Sequence, residues 1–84
     1  MTRQIIRIMA EVFERSEADI ESCSRHDAAT GSRIMAFSTE TGILPDPFSS
    51  THAHEDWTRV QTLLGNAVWW DSVNAGLQAW YPAA

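Results

Sequence analysis

Trp69-Trp70-Asp71-Ser72-Val73-Asn74-Ala75-Gly76-Leu77-Gln78-Ala79-Trp80-Tyr81-Pro82 is the stretch on which the fold class turns, because it carries three of the four Trp residues of an 84-residue chain. Trp70, Val73, Leu77 and Trp80 recur at steps of three and four, with Trp69 beside them, a spacing that gathers side chains on one helix face. Asn66 stands where an N-cap belongs, and Pro82 stands where a helix must stop. The stretch therefore predicts a C-terminal helix, and no alternating strand run of useful length competes with it anywhere in the chain. Adjacent side chains lie about 100° apart around a helix, so Trp69 and Trp70 cannot both face the centre of a small core. Trp69, Trp70, Trp80 and Tyr81 are then candidates for a contact surface, offered to another protein or to a second copy in a homodimer formed through the C-terminal helix. The alternative is that the Trp69 and Trp70 rings pack on the first helix.

Working towards the N-terminus, Ala53, Trp57, Val60 and Leu64 share one helical face, between cap candidates Ser49-Ser50-Thr51 and the stop Gly65. Pro45 and Pro47 exclude regular structure from Leu44 to Phe48 and predict a rigid connection. Ile34, Met35, Phe37 and Ser38 resume a helical pattern that Gly42 would end, and Ser24 to Ser32 reads as a loop or a frayed helix start. Ser16-Glu17-Ala18-Asp19 reads as a capping box opening a short helix through about Ser22. From Thr2, Ile5, Ile8, Met9, Val12 and Phe13 form an apolar stripe with Arg3, Arg7, Glu11 and Glu14 opposite. The expected fold is all-α: a small helical bundle of four to five short helices, helix-turn-helix-like, with residues 1–84 as a single domain.

A chain this short buries only about 60–65% of its unfolded surface, yet 44% apolar and 20% charged residues set it apart from disordered sequences. No apolar run approaches the roughly 20 residues of a membrane span, and the Met1–Met9 segment lacks the features of a signal peptide, so a cytoplasmic location is expected. Cys23 is the only cysteine; no internal disulfide is available, and the residue is expected to be a small, half-buried structural one. Eleven acidic residues face six basic ones, all Arg, for a formal net charge of −5. Domains dedicated to nucleic acid usually carry a basic excess, so an acidic chain can bind DNA only if its Arg residues cluster.

The order of elements resembles the C-terminal DNA-binding domain of the bacterial replication initiator DnaA. The likeness lies in a first helix of the form Ile-x-x-x-Met-Ala-Glu-Val-Phe, a short capped helix containing Ala18-Asp19-Ile20, a loop carrying Ser24-Arg25, and Arg33-Ile34-Met35-Ala36-Phe37. Residues 4 to 65 are covered. That family is a helical bundle containing a helix-turn-helix, which the resemblance implies here. The family's recognition helix opens with Gly-Gly-Arg-Asp-His-Thr-Thr-Val; the corresponding run is Ala53-His54-Glu55-Asp56-Trp57-Thr58-Arg59-Val60, which agrees at Asp56, Thr58 and Val60. The resemblance thus implies a DNA-binding set of Arg25, Arg33, Thr58 and Arg59, with Glu55 and Trp57 departing from the family's pattern.

His52-Ala53-His54-Glu55-Asp56 satisfies the H-x-H-x-D pattern of binuclear metallohydrolases, but such sites draw further ligands from a much larger fold, and His26 is the only other His. A polar helix start with its His residues facing water is the expected reading. No nucleophile triad, phosphate loop or CxxC motif occurs, so neither catalysis, metal nor cofactor is expected. Glu11, Glu14, Glu17, Asp19 and Glu21 crowd the junction of the first two helices, either as a solvated face or as an imitation of nucleic-acid phosphates. Two functional classes follow, besides a structural or toxin–antitoxin-type partner whose aromatic C-terminal helix docks on a cognate protein. One is a small accessory protein of the kind made by phages and mobile elements, an anti-CRISPR or DNA-mimic type of inhibitor. Its acidic face would occupy the basic nucleic-acid-binding groove of a protein partner. The other is a DnaA-like binder of duplex DNA.

Overall fold

In the computed structural model, residues 2–26, 34–65, 69–73 and 76–82 are described. Three helices and four strands follow one another: α1 (Thr2–Phe13), α2 (Glu17–Ser22), β1 (Ser24–His26), β2 (Ile34–Ser38), α3 (Thr51–Leu64), β3 (Trp69–Val73) and β4 (Gly76–Pro82). The expected all-α bundle is thereby corrected to a mixed α and β architecture. The strands form one antiparallel sheet in the order β1-β2-β4-β3, so two hairpins, one on either side of α3 in sequence, meet through their inner strands.

Two segments expected to be helical are strands. In Ile34–Ser38, Met35, Ala36 and Phe37 are all at least 97% buried, and a short, continuously buried run fits a central strand or a helix equally by periodicity. Length decides it: the run is five residues, well under the 10–12 or so that a helix usually needs. Gly42 has φ 79°, as a stop residue should, but it closes a turn in which its N–H donates to the Thr39 carbonyl, 3.3 Å away, rather than ending a helix. In the C-terminal stretch, Val73 pairs with Gly76, Ser72 with Leu77 and Trp69 with Trp80. The stretch is rich in aromatic and branched residues that favour strands, a preference that outweighs the helical spacing. The helix-turn-helix implied by the resemblance is not formed, because the segment matching its third helix is β2. The proposed dimer helix is likewise absent, since that stretch is the β3–β4 hairpin.

The remaining helices stand where the sequence places them. The Ser16 hydroxyl caps α2 by accepting from the Asp19 N–H at 3.1 Å, and Ser50 caps α3 by accepting from the Ala53 N–H at 3.0 Å. Gly65 ends α3 at φ 62°, its N–H donating to the Gln61 and Thr62 carbonyls. Ile5, Ile6 and Met9 of α1, Trp57 and Val60 of α3, and Met35, Phe37 and Ala79 of the sheet form one buried cluster. Phe37, Ala79 and Trp70 are register partners across three strands, so this row marks the sheet face on which α1 and α3 lie. No helix among the described residues is long and apolar enough to cross a membrane.

Candidate functional site

The carboxylates singled out in the sequence divide into two groups. On α2, Glu17 and Glu21 lie one turn apart, and both reach back to Arg3 on α1, at 3.7 and 3.4 Å. All three side chains are roughly half exposed, so the pairing holds α2 against α1 only weakly. Asp19, exposed at the start of α2, lends its N–H to the Ser16 cap and its carbonyl to Ser22 Oγ at 2.6 Å and Cys23 Sγ at 3.4 Å. The buried Cys23 thiol also meets Thr41 Oγ1 at 3.4 Å, which makes it a packed residue that ties α2 to the segment after β2.

Glu11 and Glu14 belong to a different setting. α1 ends in a bond from the Arg15 N–H to the Ala10 carbonyl, 3.0 Å, with Glu14 at φ 55° in between. This is the six-to-one bond of a Schellman motif, whose left-handed position normally belongs to Gly. Here a glutamate occupies it, and its side chain lines a cleft of about 470 Å³ that also takes in Glu11, Arg15, the Gly42–Pro45 region and one face of α3. That face consists of His52, Asp56 and Arg59, at the i, i+4 and i+7 spacing that aligns them along the helix. His52 Nε2 and the Asp56 carboxylate are 3.3 Å apart. Glu11, Glu14, Arg15 and Arg59 are exposed and have no ion-pair partner among the described residues.

One anchor of this cleft was not legible in the sequence. The buried Trp57 indole N–H donates to the Pro45 carbonyl at 2.7 Å, fixing the connection before α3 against the helix itself. Its ring stacks obliquely on Phe13, centroids 4.9 Å apart, and so also fixes the end of α1. Asp46 braces the same connection: its carboxylate accepts from the Phe48 N–H at 2.8 Å and its carbonyl from Ser49 Oγ at 2.7 Å. The cleft walls are thus held by hydrogen bonds and ring packing on both sides.

The metal-like string is pulled apart by helix geometry. Positions two apart on a helix lie on nearly opposite sides, and while His52 faces the cleft, His54 stacks on Phe48 at 6.2 Å and lies 6.3 Å from the Trp70 ring. Among the described residues no group of three or more His, Cys, Asp or Glu side chains could hold a metal ion.

Of the aromatic candidates, Trp70 is half-buried and meets Trp57 edge-on at 6.0 Å, packed against the core. For Trp69, Trp80 and Tyr81 the structure describes the backbone alone: Trp69 pairs with Trp80, and Tyr81 with Met35. The candidate DNA-binding residues do not form one set. Arg25 is exposed on the edge strand β1 opposite Ala36, whereas Thr58 and Arg59 are on α3, and Arg33 lies outside the described residues. Thr58 Oγ1 is engaged within its own helix, donating to the His54 carbonyl at 2.9 Å. Comparison of the chain with family models, with curated proteins and with solved structures finds no match.

Proposed function

We propose that this chain is a non-catalytic binding protein whose acidic α1–α2 corner docks on the basic nucleic-acid-binding surface of a protein partner and so obstructs that surface, in the manner of a DNA mimic. The observation that carries the reading is the arrangement of five exposed carboxylates at this corner, Glu11, Glu14, Glu17, Asp19 and Glu21, against which Arg3 is the one ion-paired cation among the described residues. Of these, Glu11, Glu14 and Asp19 have no ion pair among the described residues and remain free to complement a basic groove, where they steer encounter and set specificity. The net charge of −5 acts in the same direction over longer range.

The alternative, a duplex-DNA binder, draws on Arg25, Arg33, Thr58 and Arg59. Its support is weaker, since Arg59 shares its cleft with Glu11, Glu14 and Asp56, which repel phosphate. One experiment separates the two. Purified nucleic-acid-handling complexes are loaded with labelled duplex and titrated with the chain, in parallel with direct binding of the chain to the same duplex across a salt series. Release of duplex from a complex, weakened by salt and by the double substitution Glu11→Gln, Glu14→Gln, is the expected result. Direct binding to duplex that falls on Arg25→Ala or Arg59→Ala replaces this reading with the DNA-binding one.

A further inference from the structure

The cleft at the end of α1 is built differently from the rest of the acidic corner. Three of its lining residues are apolar: Val12, Phe13 and Ile43 are half-buried and packed against the core. Its rim carries charge of both signs. Glu11 and Glu14 come from the end of α1, Arg15 follows directly, and Arg59 arrives from α3, none of them ion-paired among the described residues. A purely basic ligand would meet two guanidinium groups here, and a purely acidic one would meet two glutamates and the Asp56 carboxylate. A neutral apolar ligand would cover these three side chains and leave the unpaired glutamates and arginines unused. The volume, about 470 Å³, lies within the range of sites that take small ligands or a few side chains.

We infer that this cleft receives a short segment of the protein partner in which a basic and an acidic side chain flank an apolar one. The basic group meets Glu11 and Glu14, the acidic group meets Arg15 and Arg59 in charge-assisted hydrogen bonds, and the apolar side chain covers Phe13 and Ile43. The inference rests on the protein-binding reading above and narrows it, because a uniformly basic groove leaves Arg15 and Arg59 without a role. Two features of the cleft favour recognition of a particular sequence over general attraction. Arg presents a planar fork suited to a carboxylate, and the walls are held in place by the Trp57–Pro45 hydrogen bond and the Phe13–Trp57 ring contact.

The test uses the full chain, labelled with ¹⁵N, and three acetylated, amidated tripeptides: Arg-Leu-Glu, Arg-Leu-Arg and Glu-Leu-Glu. At millimolar peptide, Arg-Leu-Glu is expected to shift the backbone amides of Phe13 to Arg15, Ile43 and Asp56 to Arg59 several-fold more than either of the other two. The double substitution E14Q/R59Q alters exposed groups only; it is expected to keep the thermal transition and lose these shifts. Equal shifts with Arg-Leu-Arg, shifts confined to α2 around Glu17 and Glu21, or no shifts at the cleft would each overturn the inference. If the cleft is silent while the chain still releases duplex from a partner complex, the inference falls and the docking of the acidic corner stands; if both fail, both are wrong.

Discussion

Glu14 and Gly65 occupy equivalent places at the ends of α1 and α3, both with positive φ, 55° and 62°. An L-residue there places its Cβ against the carbonyl, at a cost of roughly 1–2 kcal/mol that Gly avoids. Glu14→Gly is therefore expected to stabilise the chain by about 1 kcal/mol, visible as a higher midpoint in urea. Gly65→Ala should destabilise it by about the same amount, since no atom lies near the added Cβ and only the backbone conformation is penalised. A lowered midpoint for Glu14→Gly would show that the glutamate side chain contributes to the folded state itself, and the cleft would need another explanation. Trp57 combines full burial with a hydrogen bond to the Pro45 carbonyl. Replacing it with Phe keeps most of the packing but leaves that carbonyl without its indole donor, for an expected loss of about 2 kcal/mol in chemical denaturation. The periodicity of α3 already marks Trp57 as a core residue. It says nothing of the Pro45 partner, because a contact across 12 positions between a helix and an irregular connection leaves no mark in local spacing.

At the level of elements, the helices were legible and the sheet was not, for a physical reason visible in individual segments. α2 and α3 announce themselves through Ser16, Ser50 and Gly65, residues whose side-chain or backbone chemistry serves helix ends in particular. β2 has no such marker: Met35, Ala36 and Phe37 are buried in succession, so the alternation that identifies a half-exposed strand is lost. β4 is harder still, because Leu77 and Trp80 extend the three-and-four spacing of Trp70 and Val73 across the connection between strands. The acidic corner was anticipated as a group of residues, while its division between Arg3 and the cleft depends on where α1 ends and could not be. A backbone test follows from the topology. Ala79 sits in β4 between β2 and β3, paired with Phe37 on one side and Trp70 on the other, so Pro at this position removes a ladder donor in the middle of the sheet. Ala79→Pro is expected to abolish the cooperative thermal transition and the strand signal in far-ultraviolet circular dichroism. Were the region helical, the same substitution would weaken the helical minimum instead, and the unsubstituted chain would lack the cross-strand nuclear Overhauser contacts expected between residues flanking the Trp70–Ala79 pair.

Over the whole molecule, the question is whether the surplus of negative charge acts through its amount or through its position. Two double variants answer this because each removes two negative charges from a chain of net charge −5, but at different places. In Glu17→Gln, Glu21→Gln, the carboxylates removed are those already facing Arg3, and their loss sets that guanidinium free on the same surface. In Glu11→Gln, Glu14→Gln, the carboxylates removed have no internal ion pair among the described residues, and they line the cleft. Long-range steering depends on the summed field, which both variants reduce alike, so rates of encounter with a basic partner should fall similarly, and less so as salt screens the field over about 8–10 Å. Lifetime of the complex depends on charges desolvated at contact. The Glu11, Glu14 variant should therefore dissociate roughly 10-fold or more faster, as expected when charge-assisted hydrogen bonds of about 1.5 kcal/mol each are lost. The Glu17, Glu21 variant should change dissociation much less, its surface pair being worth little to begin with. Surface plasmon resonance with a partner complex that the chain strips of duplex measures both rates. Equal dissociation for the two variants would mean that net charge alone governs binding, and the cleft would be a feature of the surface without a part in recognition.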